Sequence, residues 1–307
     1  MRIVRRHAAP SGTAIAVGSF DGVHLGHQAM LERVGDAAKR RALVPAALTF
    51  EPLPREYFAG RGAPPRLSSL AEKLALLSQS GIAEAFVERF DARFAAIPAP
   101  DFAERLAGHY GARWVIVGPD FRYGARRQGD VESLRAAGRN HGFEVEVLSP
   151  VVLDGARVSS TRVREALAAA RFEEAARLLG RPYAVCGRVL HGAKRGRAMG
   201  YPTANVRLAR PRAPLCGIFA VRCSTAATRG LEGVASLGSN PALGPGGPET
   251  LEAFLFDFSG DLYGERLSIE FVKKLREEAA FASLEALAAQ IARDCDAARA
   301  LFRAPRT

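Results

Sequence analysis

The chain has 307 residues, 48% of them hydrophobic, with 43 Lys and Arg against 32 Asp and Glu for a formal charge of +11. That length accommodates two domains with their own cores, and the apolar content excludes a disordered chain. No run approaches the roughly 18 uninterrupted apolar residues of a membrane helix, and MRIVRRHAAP leads into no secretory segment.

Cys186, Cys216, Cys223 and Cys295 form no CxxC pair, so a cytoplasmic chain with reduced thiols and no membrane partner is expected. The first apolar run, Ala14 to Val17, reads as a buried strand, and the residues from Gly26 to Arg40 read as an amphipathic helix. Between them VGSFDGVHLGH forms a strand-to-helix turn, with Gly18, Gly22 and Gly26 leaving room for a ligand to approach the backbone. Such a turn presents free N–H groups and the positive end of a helix dipole, which suit phosphate. His24 and His27 stand three residues apart and share one face of the first helical turn. Their N–H groups suit phosphate oxygens and the charge growing on a leaving pyrophosphate, although two polar caps at a helix start would also account for them.

Further apolar runs at Val44 to Phe50, Glu84 to Phe90, Arg113 to Pro119 and Phe143 to Pro150 alternate with helix-like stretches. This predicts βα units around a parallel sheet, with ligands beyond the carboxyl ends of the strands. GSFDG, TFEP, VGPDF and VSSTR all fall at such ends. In VSSTRVREAL, Ser159, Ser160 and Thr161 offer hydroxyls at a helix start, and Arg162 and Arg164 offer guanidinium forks; a plain N-cap with solvated arginines is the alternative. No GxxxxGK is present, so this is not a P-loop protein.

After Gly180 the runs AVCGRVL, GIFAVRC, EGVASL, LEAFLFDF and RLSIEFV follow without helices between them, which predicts an antiparallel sheet or small barrel. Domains are therefore expected at 1–180 and 181–307. The last segment, from Ser283, reads as one helix packed on the barrel with Ser283 as its N-cap. HGAKRGRAMGYPTANV brings Gly192, Gly196 and Gly200 together with Lys194, Arg195 and Arg197, a pattern that fits a phosphate-cradling loop or a solvated turn. If PTAN is extended, Thr203 and Asn205 point to the same side, and their oxygens suit Mg²⁺. Glu270 lies in an apolar run where an unpaired acid is costly, unless it belongs to the polar face of an alternating strand. Eleven Arg and Lys occur between Glu174 and Glu232 with no acid among them. That stretch carries no nucleic-acid motif, so no nucleic-acid partner is expected.

The motifs TFEPLPREYF, LSSLAEKLALL, VGPDFRYGARRQGD, GRAMGYPTAN, DLYG and the Glu270–Phe271 pair, added to HLGH and SSTR, make the chain similar over nearly its whole length to one family. It resembles the bacterial bifunctional riboflavin kinase/FMN adenylyltransferases, or FAD synthetases. The resemblance implies an N-terminal Rossmann-like nucleotidyltransferase α/β domain and a C-terminal antiparallel β-barrel riboflavin kinase domain with a terminal helix. It also implies the substrates riboflavin, FMN and ATP, the products FMN and FAD, and Mg²⁺; the oligomeric state stays open.

By the same resemblance, His24 and His27 would contact ATP phosphates, and Gly18, Phe20, Gly26, Gly118, Ser159, Ser160, Thr161 and Arg162 would line the nucleotide site. Asp120, Phe121 and Arg122 would lie near flavin or nucleotide. In the kinase, Gly192, Lys194, Gly196, Arg197 and Gly200 would hold phosphates, and Thr203 and Asn205 would bind Mg²⁺ and ATP. Glu270 would be the general base, and Arg276 would lie near the flavin. Three positions depart from the family pattern: Leu53 and Phe254 stand where histidine is frequent, and Ala242 stands in NPA where NPT is usual.

Overall fold

The computed structural model describes residues 1–7, 11–191, 200–239 and 249–304. Their contacts divide into two units, Met1–Pro64 with Leu70–Ser160, and Pro65–Ser69 with Thr161–Thr307.

The first unit holds a six-stranded parallel sheet of β1 (Arg2–Val4), β2 (Thr13–Val17), β3 (Val44–Glu51), β4 (Glu84–Arg89), β5 (Ala112–Val117) and β6 (Glu144–Val147). Its helices are α1 (Leu25–Arg41), α2 (Pro54–Ala59), α3 (Leu70–Gln79), α4 (Ala92–Ala95), α5 (Ala99–Gly108) and α6 (Val131–His141), followed by a hairpin of β7 (Val152–Leu153) and β8 (Ala156–Arg157). The strand order is β1-β4-β3-β2-β5-β6. All five residues of β2 are buried, as a central strand covered on both faces requires. Alternate residues serve opposite cores: Ile15 and Val17 pack with Leu48, Val115 and Phe102, whereas Ala14 and Ala16 pack with Trp114 and with Leu31 and Val34 of α1. The chain crosses from β2 to β3 on one side and reaches β5 on the other, so β2 and β5 flank the point where the strand order reverses. In open α/β sheets that point is where ligands bind.

From Thr161 on, the second unit holds the rest of α7 (Ser160–Ala168) and α8 (Phe172–Leu179), then β9 (Ala184–Leu190), β10 (Thr203–Val206), β11 (Gly217–Ser224), β12 (Leu231–Ser239), β13 (Glu249–Leu255), β14 (Arg266–Arg276) and α9 (Leu284–Arg303). Its strands close into an antiparallel barrel in the order β10-β13-β12-β11-β14-β9. Phe172 of α8 packs against the rings of Phe219 and Phe271, with centroids 6.0 and 6.5 Å away. The helices between Ser160 and Gly180 therefore group with the barrel, upstream of the junction expected after Gly180. Ser283 caps α9 by accepting from Ala286 N at 3.2 Å, and the helix covers Ile218, Ala220, Val234 and Phe256 with Cys295 and Ala298.

A short strap, Pro65–Ser69, also belongs to this unit. Leu67 O accepts from Arg210 Nη1 at 2.8 Å and from Tyr183 Oη at 3.2 Å, and Pro65 O accepts from Arg164 Nε at 2.6 Å. Arg164 is thus buried and committed to the strap.

Candidate active sites

In the first unit, the GSFDGVHLGH turn leaves the carboxyl end of β2 through a strained backbone. Phe20 and Val23 have φ of 48° and 41°, and Gly22 has φ of 82°. The left-handed region is unfavourable for a β-branched valine and persists where the surroundings impose it, often at functional turns. His24 caps α1, and its Nδ1 accepts from His27 N at 3.4 Å. The two imidazoles stack with centroids 3.8 Å apart, so the shared face expected from their spacing is present. Phe20 meets His27 edge-on at 5.3 Å. A Cβ on Gly26 would stand 3.2 Å from the His24 ring and 3.7 Å from Val158 O, which is why glycine fits there.

His27 Nδ1 is buried without a hydrogen-bond partner. Most buried polar atoms are paired, so an orphan at a phosphate-type turn points to a ligand. Burial, then the His24 and Lys73 charges, holds the His27 pKa well below its ordinary value, and the imidazole is neutral at pH 7. Lys73 is itself buried and donates to Thr49 Oγ1 at 3.1 Å and Phe50 O at 3.4 Å.

Ser160 Oγ donates to Asp21 O at 3.0 Å, which joins the SSTR segment to the first turn. Thr161 and Arg162 fall in the second unit, where Arg162 pairs with Glu174 at 3.7 Å. Gly118 follows β5, and nothing lies within 4 Å of where its Cβ would be. Beyond it Asp120 pairs with Arg157, Arg122 pairs with Asp130 at 3.3 Å, and Phe121 stacks on Tyr123 at 5.7 Å. Leu53, at the departure from the family pattern, is buried at the N-cap of α2.

In the second unit, Gly192, Lys194, Gly196 and Arg197 lie outside the described residues, as does Ala242. Gly200 has φ of 84°, and Thr203 and Asn205 lie two apart on β10. Next to Thr203 opens a cavity of about 390 Å³, lined by Pro202, Thr203 and Ala204 and by Asp261, Leu262 and Tyr263 of DLYG. His191, which precedes the basic loop, places its ring 3.8 Å from Tyr263.

The structure departs from the sequence reading at the acid. Glu270, on β14, stands in register with Arg222 of β11 and Ala184 of β9, so β9 separates it from β10. It sits on the polar face of an alternating strand whose other face buries Leu267, Ile269 and Phe271. The carboxylate at Thr203 is Glu252 of β13, whose Oε2 accepts from Thr203 Oγ1 at 3.1 Å. Glu252 is in register with Asn205, and residues facing each other across a ladder share a face. Hydroxyl, carboxamide and carboxylate oxygens on one face form a hard donor set that fits Mg²⁺. Because Thr203 donates its proton to Glu252, its oxygen lone pairs remain available. Phe254, on the same face, packs against Tyr201 at 5.3 Å within the apolar cluster beneath α9, which accounts for a phenyl ring at that position.

Arg276 is also placed differently from the expectation. It grips Asp294 of α9 with three contacts of 2.8–3.1 Å and donates to Glu277 O at 2.9 Å. Its guanidinium is thereby a fastening for the terminal helix. Asp294→Ala should lower stability by about 2 kcal/mol, because it removes the carboxylate partner of a half-buried cation; a lower urea midpoint at unchanged m-value is the expected reading.

The FAD synthetase family model matches residues 6–162 and the riboflavin kinase model matches residues 179–302. A bifunctional riboflavin kinase/FMN adenylyltransferase of Pseudomonas fluorescens is 46% identical, covering 94% of this chain and 93% of its own. That of Escherichia coli (strain K12) is 42% identical, covering 96% and 94%. A crystal structure titled as a macrolide-efflux protein from Streptococcus pneumoniae superimposes with a TM-score of 0.80 at 28% identity, covering 97% of this chain and 98% of that one. Among the described residues of the present chain, no helix is long and apolar enough to cross a membrane. Two family models in series, matched by relatives that align nearly end to end, lead to one assignment: the chain belongs to the bifunctional riboflavin kinase/FMN adenylyltransferase family.

Proposed function

We propose that the barrel unit phosphorylates riboflavin from ATP and that the first unit adenylylates the resulting FMN. What carries this reading is the order of the two matched families along a chain whose two units each hold a site with suitable chemistry.

In the kinase step the ribityl hydroxyl oxygen attacks the γ-phosphorus of ATP, its proton passes to Glu252, and ADP leaves. Glu252 takes the base role in place of Glu270, because it alone of the two contacts the PTAN segment. Thr203 and Asn205 would hold Mg²⁺, which supplies charge neutralisation on the phosphates when bound. In this scheme Lys194 and Arg197 would supply positive charge to the ATP phosphates, and the DLYG cavity takes part of the substrate.

In the adenylyl step an FMN phosphate oxygen attacks the α-phosphorus of ATP, and the bond to the β-phosphate breaks to release pyrophosphate. No protein base is required, because the nucleophile is already an anion. His24, His27 and the N-terminus of α1 receive the departing phosphates, Gly18, Phe20, Gly118, Ser159 and Ser160 border the nucleotide, and Asp120 and Phe121 border the flavin. Four free cysteines fit a reducing compartment, the cytoplasm.

Purified protein given riboflavin, ATP and Mg²⁺ should form FMN and then FAD, resolved by chromatography, and chelation of Mg²⁺ should stop both steps. Absence of any flavin conversion would sink the assignment.

A further inference from the structure

The loop after β5 presents two arginines on a strained and firmly anchored backbone. Arg126 and Arg127 are exposed, have left-handed φ of 55° and 58°, and make no side-chain hydrogen bond or ion pair with the described residues. Their neighbours Arg122 and Arg157 are already paired, with Asp130 and Asp120.

The strain is imposed from several sides. Tyr123 and Gly129 exchange backbone hydrogen bonds of 3.1 and 2.9 Å, and Ala125 N donates to Ile97 O at 2.7 Å. A Cβ on Gly124 would stand 2.6 Å from the Ala99 backbone, and one on Gly129 would stand 2.5 Å from the Tyr123 ring. Non-glycine residues hold such conformations where the fold over-determines them, and functional loops are where this recurs. An anchored loop also spends less conformational freedom when it takes hold of an anion.

The loop's position supplies the chemistry. Ala16 is in register with Ile116, so β2 and β5 end side by side. The arginine loop and the His24–His27 turn thus leave neighbouring strand ends. Adenylyl transfer must bring the phosphate of the acceptor against the phosphates of ATP, and cationic side chains offset that repulsion. We infer that Arg126 and Arg127 bind the terminal phosphate of the flavin acceptor and make the first unit select phosphorylated over unphosphorylated flavin. Paired guanidinium forks match a phosphate monoester dianion. The inference rests on the adenylyltransferase reading of this unit.

The test is steady-state FAD formation by the full chain from FMN, ATP and Mg²⁺, with riboflavin phosphorylation measured on the same samples. Arg126→Gln with Arg127→Gln should raise KM for FMN roughly 10-fold or more while KM for ATP stays within about 2-fold. Riboflavin phosphorylation should be unchanged, and the paired lysine replacements should recover part of the loss. Arg127→Gly, which relaxes the backbone but removes the side chain, should also raise KM for FMN. An unchanged KM for FMN in the double variant overturns the inference, as does a parallel rise in KM for ATP. If wild type forms no FAD from FMN, the adenylyltransferase reading falls and takes this one with it; wild-type turnover with unaltered variants condemns the arginines alone.

Discussion

Glu252→Gln is expected to slow riboflavin phosphorylation by about 10²- to 10⁴-fold, the usual worth of a positioned general base, with FAD formation from supplied FMN undiminished. The substitution keeps shape and hydrogen-bonding capacity but leaves no carboxylate to take the ribityl proton. Thr203 still finds a partner at 252, so the barrel should fold as before. Glu270→Gln is the matched control: its site faces Arg222 across the ladder, and phosphorylation should stay within about 3-fold. Equal losses in both variants would mean that the ladder's electrostatics, and not a base at 252, govern the step. The reverse ranking would restore Glu270.

His27→Ala is expected to divide the two activities the other way. FAD formation should fall about 10²- to 10³-fold, the range for removing one preorganised donor to developing charge, and FMN should accumulate from riboflavin because the barrel is untouched. The pKa of His27 adds a stability signature. Its folded pKa lies below the unfolded value near 6.5, so this residue's contribution is present above that value and is lost as pH falls toward the folded pKa. The unfolded chain then takes up a proton that the folded site resists. Urea midpoints of wild type should therefore decline more steeply below about pH 6.5 than those of His27→Ala; parallel declines would assign the depressed pKa no energetic weight.

Much of this architecture is legible in the sequence because burial writes a strong pattern. Ala14–Val17 and Val44–Phe50 are almost wholly apolar on both faces, as strands between two helical layers must be, and they and the runs at Glu84 and Arg113 are found in the parallel sheet. The His24–His27 spacing likewise fixes a shared face, because three residues is nearly one helical turn. What stayed hidden depends on neighbours distant in the chain. Arg2–Val4 is three residues long and partly exposed, and only its pairing with β4 makes it a strand. Glu252 and Glu270 have the same local signature, a glutamate on the polar side of an alternating strand. Which one meets Thr203 is decided by barrel order, β10 beside β13 and not beside β14, and no spacing encodes that. Arg276 reads as a free cation until Asp294 of a later helix takes it. The junction was read at the change from helical to strand patterning, whereas α7 and α8 group with the barrel through contacts such as Phe172 on Phe271.

The strap at Pro65–Ser69 bears on how the molecule comes into being. Synthesis proceeds from the N-terminus, and domains generally fold as they emerge. Here the acceptor Leu67 O is made 143 residues before its donor Arg210. The barrel's bonds to the strap therefore recover a piece of backbone that left the ribosome in the middle of the other unit. Residues on both sides of that piece are by then committed to the parallel sheet. The order of biosynthesis is thus built into the connectivity, and a ribosome supplying the second half alone would deliver a barrel whose Arg210 and Tyr183 lack the carbonyl they were placed to meet.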